Sequence, residues 1–334
     1  MSGPDGARPL ANSHRPRRAG DGQSVVPNAQ FGSYYGRPVL QEPVWRAPDI
    51  PGYLFLGGLA GASSLLAVGA QATGNGELAR ASKLGAAAAI SLGGIGLLTD
   101  LGRPARFLNM LRVFKVTSPM NVGSWLLATY GPSAAVAGAA AVTGRFPRLG
   151  AAASAVAAGL GAAIATYTAA LLADTAVPAW HGGHRELPYL FAGSAAAAAG
   201  GLGMLATRPS SAAPAIRLAI LGAATELTAK RLLQRRLGAA GAKPYRSGRA
   251  GRLRQASNLL TAAGMTGAAL GSRSRQITAL AGLALLASSA LTRFGIFMAG
   301  QASARDPAYT VGPQRERLAA VEQTVAGVAP EPAR

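Results

Sequence analysis

Asp100, Asp174, Glu226 and Arg293 lie inside or at the ends of long apolar stretches. An ionised side chain at the centre of a bilayer costs about 2.5–3.5 kcal/mol on insertion scales, so one that is kept is a candidate for function. Carboxylates in such places hold and pass protons, and an arginine orients a carbonyl or a carboxylate. Plain structural readings stand beside these. Asp100 and Asp174 end their stretches and could be interfacial caps. Glu226 is followed by Lys230 and can form a helical i,i+4 pair with it. Arg293 can snorkel to the interface or pair with a carboxylate. Other chemistry is excluded by composition. The chain has no cysteine and three histidines, which removes disulfides, thiolate metal sites, protein-held iron–sulfur clusters and cysteine nucleophiles. No histidine falls in an apolar stretch, so there is no ligand pair for a membrane haem.

The elements that must position these residues follow from composition. The chain has 334 residues, 49% of them apolar, with 44 glycines, 14% charged residues and a net charge of +20. Soluble domains carry about 25% charged residues. Residues 1–50 are polar and rich in proline, and read as a disordered or partner-docking tail without a core. Arg17 and Arg18 are not followed by an apolar segment, so no cleaved signal is expected. From Pro51 onward, near-charge-free stretches alternate with basic joints. About 20 apolar residues span a bilayer as a helix. Eight stretches qualify, at roughly 51–73, 84–102, 122–143, 149–174, 187–207, 212–232, 255–272 and 276–299. The second and seventh are short and Gly-rich. A soluble Ala-rich bundle is the competing reading, but a soluble helix shows a charged face, and Leu149–Ala173 and Leu187–Thr207 carry no charge at all. The expected fold is therefore an all-α integral membrane protein of about eight helices. Its transmembrane domain covers 51–300, with a cytoplasmic tail over 301–334. Small residues such as Gly57, Gly58, Gly61, Gly93, Gly94 and Gly96 suit close helix packing.

With eight spans both termini share a side. That side collects 24 of the 33 basic residues and the opposite side 7. The positive-inside rule makes the terminus side cytoplasmic, where the charge also meets anionic lipid. A nucleic-acid partner is not expected, since the basic run Lys230–Arg254 has no recognition motif and no aromatic platform. Even-numbered spans run toward the terminus side, so Asp100, Asp174, Glu226 and Arg293 share one leaflet. Tyr53, Trp125, Tyr167, Trp180, His181, His184 and Tyr189 fall on that side too, though Tyr and Trp also anchor interfaces and the two histidines sit in a loop. Carboxylates, an arginine and aromatic rings beside lipid suit a quinone, whose head needs hydrogen bonds and protons and whose tail needs lipid.

One run carries a family resemblance. Asp100-Leu-Gly-Arg103-Pro-Ala-Arg-Phe107, continuing through Arg112, Lys115, Ser118-Pro119-Met120 and Gly123-Ser124-Trp125, resembles the membrane subunit of polysulfide reductase, the NrfD family. Tyr53-Leu-Phe-Leu-Gly57-Gly58, Tyr167 to Asp174, and Pro178-Ala-Trp180-His181 are similar as well. Ser303 to Arg315 is similar to members with formate-dehydrogenase-type partners. The likeness spans roughly 45–317. It implies two four-helix bundles and a complex with a four-cluster iron–sulfur subunit and a molybdenum or tungsten bis-pterin catalytic subunit. It also implies exchange of electrons with menaquinone or ubiquinone and no haem, cluster or metal in the chain itself. Two features depart from the family pattern. The first span has Tyr53 and no histidine. The charge count also places the partner-facing side inside the cell.

On this reading Asp100, Asp174 and Glu226 handle protons, and Arg103, Tyr53, Trp125, Tyr167 and Arg293 surround the quinone. The chain is expected to be inactive alone. The joint from Arg103 to Lys115 is expected to dock the iron–sulfur partner through Phe107, Met110, Leu111, Val113 and Phe114. An amphipathic helix lying on lipid is the alternative for that joint. Two other functions stay open: a non-catalytic anchor of such a complex, and a proton-coupled secondary transporter.

Overall fold

The computed structural model describes residues 40–103, 105–271, 274–312, 314–315, 318 and 321. The sequence arguments from residues 1–39 and from Pro104, Arg273, Arg317 and Arg334 lie outside them. Among the described residues every regular element is helical. The α-helices are α1 Asp49–Ala72, α2 Gly76–Asp100, α3 Ala105–Met110, α4 Pro119–Thr143, α5 Pro147–Ala173, α6 Pro178–Gly182, α7 Leu187–Ala206, α8 Ala213–Gly241, α9 Lys243–Arg246, α10 Gly248–Leu270 and α11 Arg275–Arg305. Eight of these are long. Six of the eight, α1, α2, α4, α5, α7 and α11, are long and apolar enough to cross a membrane. The other two, α8 with 29 residues and α10 with 23, have the length but carry charge. In α8 that charge includes the buried Glu226 and Lys230.

Helix ends differ from the apolar stretches for physical reasons. Asn75 accepts a hydrogen bond from the Leu78 amide at 3.1 Å and starts α2, eight residues before the apolar run at 84. An Asn N-cap fixes a helix start that apolar patterning cannot reveal. Arg80 and Lys83 therefore lie on α2 itself. In the same way α10 begins at Gly248 and α8 runs on to Gly241, so the basic run Lys230–Arg254 is largely helical. Helices can extend beyond the hydrocarbon layer, and their charged ends then sit among headgroups.

The long helices pack as two quartets. In the first, α1 lies against α2 and α5, and α4 against α2 and α5. In the second, α7 lies against α8 and α11, and α10 against α8 and α11. The quartets meet where α7 touches α1 and α5 and where α1 touches α11. This is the two-bundle arrangement that the resemblance implies. Glycine makes the closest crossings possible. A Cβ on Gly61 or Gly161 would strike the other's carbonyl oxygen, which sets the α1–α5 contact, and Gly201 and Gly282 stand likewise between α7 and α11. Apolar attraction between helices is weak in lipid, so such backbone approach supplies the packing.

The last part of the expected tail is tied down. Trp45 stacks on Trp180 with ring centroids 5.6 Å apart, and Glu42 pairs with Arg305 at 3.0 Å. The segment before α1 thus lies across the terminus-side end of both quartets.

Candidate functional site

The expected site residues separate into two places. The first is a cleft of about 250 Å³ at the terminus-side end of the first quartet. Tyr53 of α1, Asp100 at the end of α2 and Tyr167 of α5 line it, with Trp45, Arg106 and Ser124. Phe107 and Met110 of α3 roof it, so these two members of the expected docking face turn inward. The Tyr53 and Tyr167 hydroxyls are hydrogen-bonded to each other. Such a pair uses one of its two protons, so one hydroxyl keeps a proton to donate. Gly123 makes room for Tyr167, because a Cβ there would lie 3.0 Å from its hydroxyl oxygen. Asp100 Oδ1 accepts the Arg46 amide at a long 3.3 Å. It also sits at a helix C-terminus, whose dipole does not favour negative charge.

This cleft adjoins an apolar groove of about 470 Å³ between α2 and α4. Leu97 and Phe107 belong to both. From there the groove runs along Ile90 to Leu98 of α2 and Leu127 to Ala135 of α4, away from the terminus side. The cleft offers hydrogen-bonding groups and the groove offers none that are charged.

The second place is a buried polar cluster in the second quartet. Lys230 Nζ lies 2.6 Å from Glu226 Oε1, which is the i,i+4 pair that the sequence allowed. Thr292 donates to the same oxygen at 2.6 Å. Lys230 donates to Ser257 Oγ at 2.7 Å. Ser257 in turn meets Thr292 at 2.6 Å and Ser288 at 3.1 Å, and Thr261 meets Ser288 at 2.5 Å. Arg293 is fully buried. Its Nε donates to the Leu54 carbonyl at 3.3 Å, its Nη2 to the Phe191 carbonyl at 2.9 Å, and its guanidinium lies 3.8 Å from the centre of the Phe191 ring. Arg293 does not snorkel. It reaches into the seam between the quartets, where Gly58 leaves the space. Glu226 Oε2 and Arg293 Nη1 are buried without a hydrogen-bond partner among the described residues.

The remaining expected residues stand apart from both places. Asp174 is exposed at the C-cap of α5 and is not on the cleft wall. Arg103 is exposed in the turn at Gly102, whose φ is 69°, and Arg106 takes the position at the cleft. Trp125 turns outward, donating to the Val113 carbonyl at 3.2 Å and meeting Phe114 edge-on at 6.0 Å. Trp180 is a core residue that donates to the Ile296 carbonyl at 2.8 Å. His181 and His184 stack on each other at 5.8 Å, and among the described residues no group of three or more metal-ligating side chains forms. Tyr189 is 68% exposed.

Sequence reasoning missed Trp45, Arg106 and Ser124 at the cleft. Arg106 and Ser124 lie in the very run that carries the resemblance. Ser257, Thr261, Ser288 and Thr292 left no sequence signal, since buried hydroxyls in helices look like any small residue.

The comparisons agree with the architecture. A family model described as "Polysulphide reductase, NrfD" matches residues 39–216. The match covers just over half of the chain and includes the whole first quartet, the cleft and α7. Ser303–Arg315 and the buried cluster's α8, α10 and α11 residues fall outside it. No curated protein matches the chain.

Proposed function

Because the chain belongs to the NrfD polysulphide reductase family, and its helices make it a multi-pass membrane protein, we propose that it is the quinone-reactive membrane subunit of an oxidoreductase complex. One observation carries this reading: a small polar cleft that continues into an apolar groove between α2 and α4. Binding pockets for whole drug-sized ligands measure about 300–1,000 Å³. A cleft of about 250 Å³ suits a quinone head alone, and the groove suits its isoprenoid tail. The head carbonyls would take hydrogen bonds from the free proton of the Tyr53–Tyr167 pair and from Arg106. Asp100 would hold the proton that a reduced quinone needs.

The roof of the cleft also serves the expected partner. Leu108, Val113, Phe114 and Val116 are exposed among Arg103, Arg106, Arg112 and Lys115. A basic rim around apolar side chains suits docking of an iron–sulfur subunit. Electrons would then arrive directly above the quinone head, from a molybdenum or tungsten bis-pterin subunit of formate-dehydrogenase type. In this reading all eight long helices span the membrane and the termini are cytoplasmic. The cysteine-free chain allows a direct check: a Val116→Cys variant should react with an impermeant thiol reagent only after the cytoplasmic side is exposed.

The quinone reading has its own test. Trp45 lines the cleft and is one of three tryptophans. Titrating the purified chain with menaquinone or ubiquinone analogues should quench its fluorescence saturably, and Trp45→Phe should remove most of the quench. Quenching that rises linearly, as for partition into detergent, would overturn the proposal.

A further inference from the structure

We propose that Lys230 is a proton-exchange site in the second quartet, loaded and unloaded from the basic, terminus-bearing face alone. The charge inventory places one proton too many in the interior. Glu226, Lys230 and Arg293 sum to +1 when all are ionised, and all three are buried. Unbalanced charge in a low-dielectric interior is costly. Arginine keeps its proton in proteins. Within this trio only Lys230 can shed one and bring the sum to zero. The step is simple: the ammonium passes H⁺ to a water and becomes an amine, with no change of oxidation state.

The surrounding helices bring no negative charge to the cluster. On α7 it faces the Phe191 carbonyl, on α1 the Leu54 carbonyl, and on α10 the Ser257 and Thr261 hydroxyls. The remaining charged neighbour is Arg254 of α10, which adds to the positive side. A metal ion is not the exchanging species, because the Lys230 ammonium already occupies the point where Glu226 and Ser257 converge.

Lys230 also has an outlet. It lines a cavity of about 30 Å³ together with Gln234, Tyr245, Arg254 and Thr292, room for a water. Gln234 and Arg254 are half-buried and lie toward the basic joint. Tyr245 outside the spans does not compete for the proton, since burial, with the Glu186 carboxylate adding, pushes its phenol well up. In the other direction the hydroxyl chain ends at Thr261. Beyond it Ala268, Ala281 and Leu285 close the interior, with Gly264 packed against Leu285.

This inference does not depend on the quinone reading, and its test uses the chain without any redox partner. The chain has four lysines: Lys83, Lys115, Lys230 and Lys243. Replacing Lys83, Lys115 and Lys243 by arginine leaves Lys230 as the single lysine and does not touch the cluster. With ¹⁵N in the lysine side chain, solid-state NMR of the chain in oriented liposomes distinguishes ammonium from amine. The expected result is a signal that switches with pH on the basic-face side and ignores pH on the other. Adding Glu226→Gln raises the trio to +2, and the signal should become that of the amine at a pH where the parent shows the ammonium. A Lys230 signal that stays ammonium throughout, or that follows the opposite face, overturns the proposal. If Glu226→Gln does not fold, the single-lysine parent decides alone.

Discussion

Asp100 ends α2 and Glu226 lies in the middle of α8, and the two quartets treat these carboxylates in opposite ways. Asp100 stands on the wall of an open cleft, holds one long bond to a backbone amide, and faces space that continues into an apolar groove. Glu226 is 1% exposed and is held by Lys230 and Thr292 at 2.6 Å each. The first arrangement leaves hydrogen-bonding capacity for a ligand. The second uses one carboxylate oxygen for contacts inside the protein and buries the other without a hydrogen-bond partner among the described residues. A carboxylate in a membrane helix is therefore not one kind of feature. Its meaning depends on whether the groups around it satisfy it.

The contrast is broken most directly by deleting each carboxylate. Removing one partner of a buried ion pair costs about 3–5 kcal/mol, so Glu226→Ala should sharply lower the thermal unfolding temperature in detergent. Asp100→Ala should stay within about 1 kcal/mol of the parent. Equal losses would end the distinction. The core beneath both quartets offers the next largest effect. A Cβ on Gly300 would overlap the Trp180 indole, and overpacking of this kind costs about 1–3 kcal/mol. Gly300→Ala should lower stability and change the tryptophan emission. Asp100→Asn and Tyr53→Phe should weaken quinone quenching of Trp45 about ten-fold each, roughly 1.4 kcal/mol, while leaving unfolding nearly unchanged. The smallest effect belongs to Asp174→Asn. An exposed side chain outside the cleft should shift neither stability nor quinone binding by more than about 0.5 kcal/mol. Loss of quinone binding in that variant would redraw the cleft to include the end of α5.

Asp100, Tyr53 and Tyr167 were legible because Tyr53 sits near the start of α1 and the other two near the ends of α2 and α5, and topology alone carries those ends to one side. Asp174 met the same criterion and yet faces solvent. The criterion gives depth in the membrane but not the direction around the helix axis. Arg103 and Arg106 differ in the same way. The turn at Gly102 resets the chain before α3, and the cleft residue becomes Arg106.

Composition and patterning by themselves determined that the chain is helical, that it lies in a membrane, and that it offers no cysteine and no histidine in an apolar stretch. Those follow from the length of apolar runs and from absent residue types, which folding cannot change. Only the tertiary structure decided which quartet each charged group serves, that Arg293 enters the seam between them, and that four unremarked hydroxyls join Glu226 and Lys230. Those depend on helix rotation and on backbone approach at glycine pairs such as Gly61 and Gly161. A 3.6-residue period in nearly uniform Ala and Gly sequence leaves that rotation unmarked.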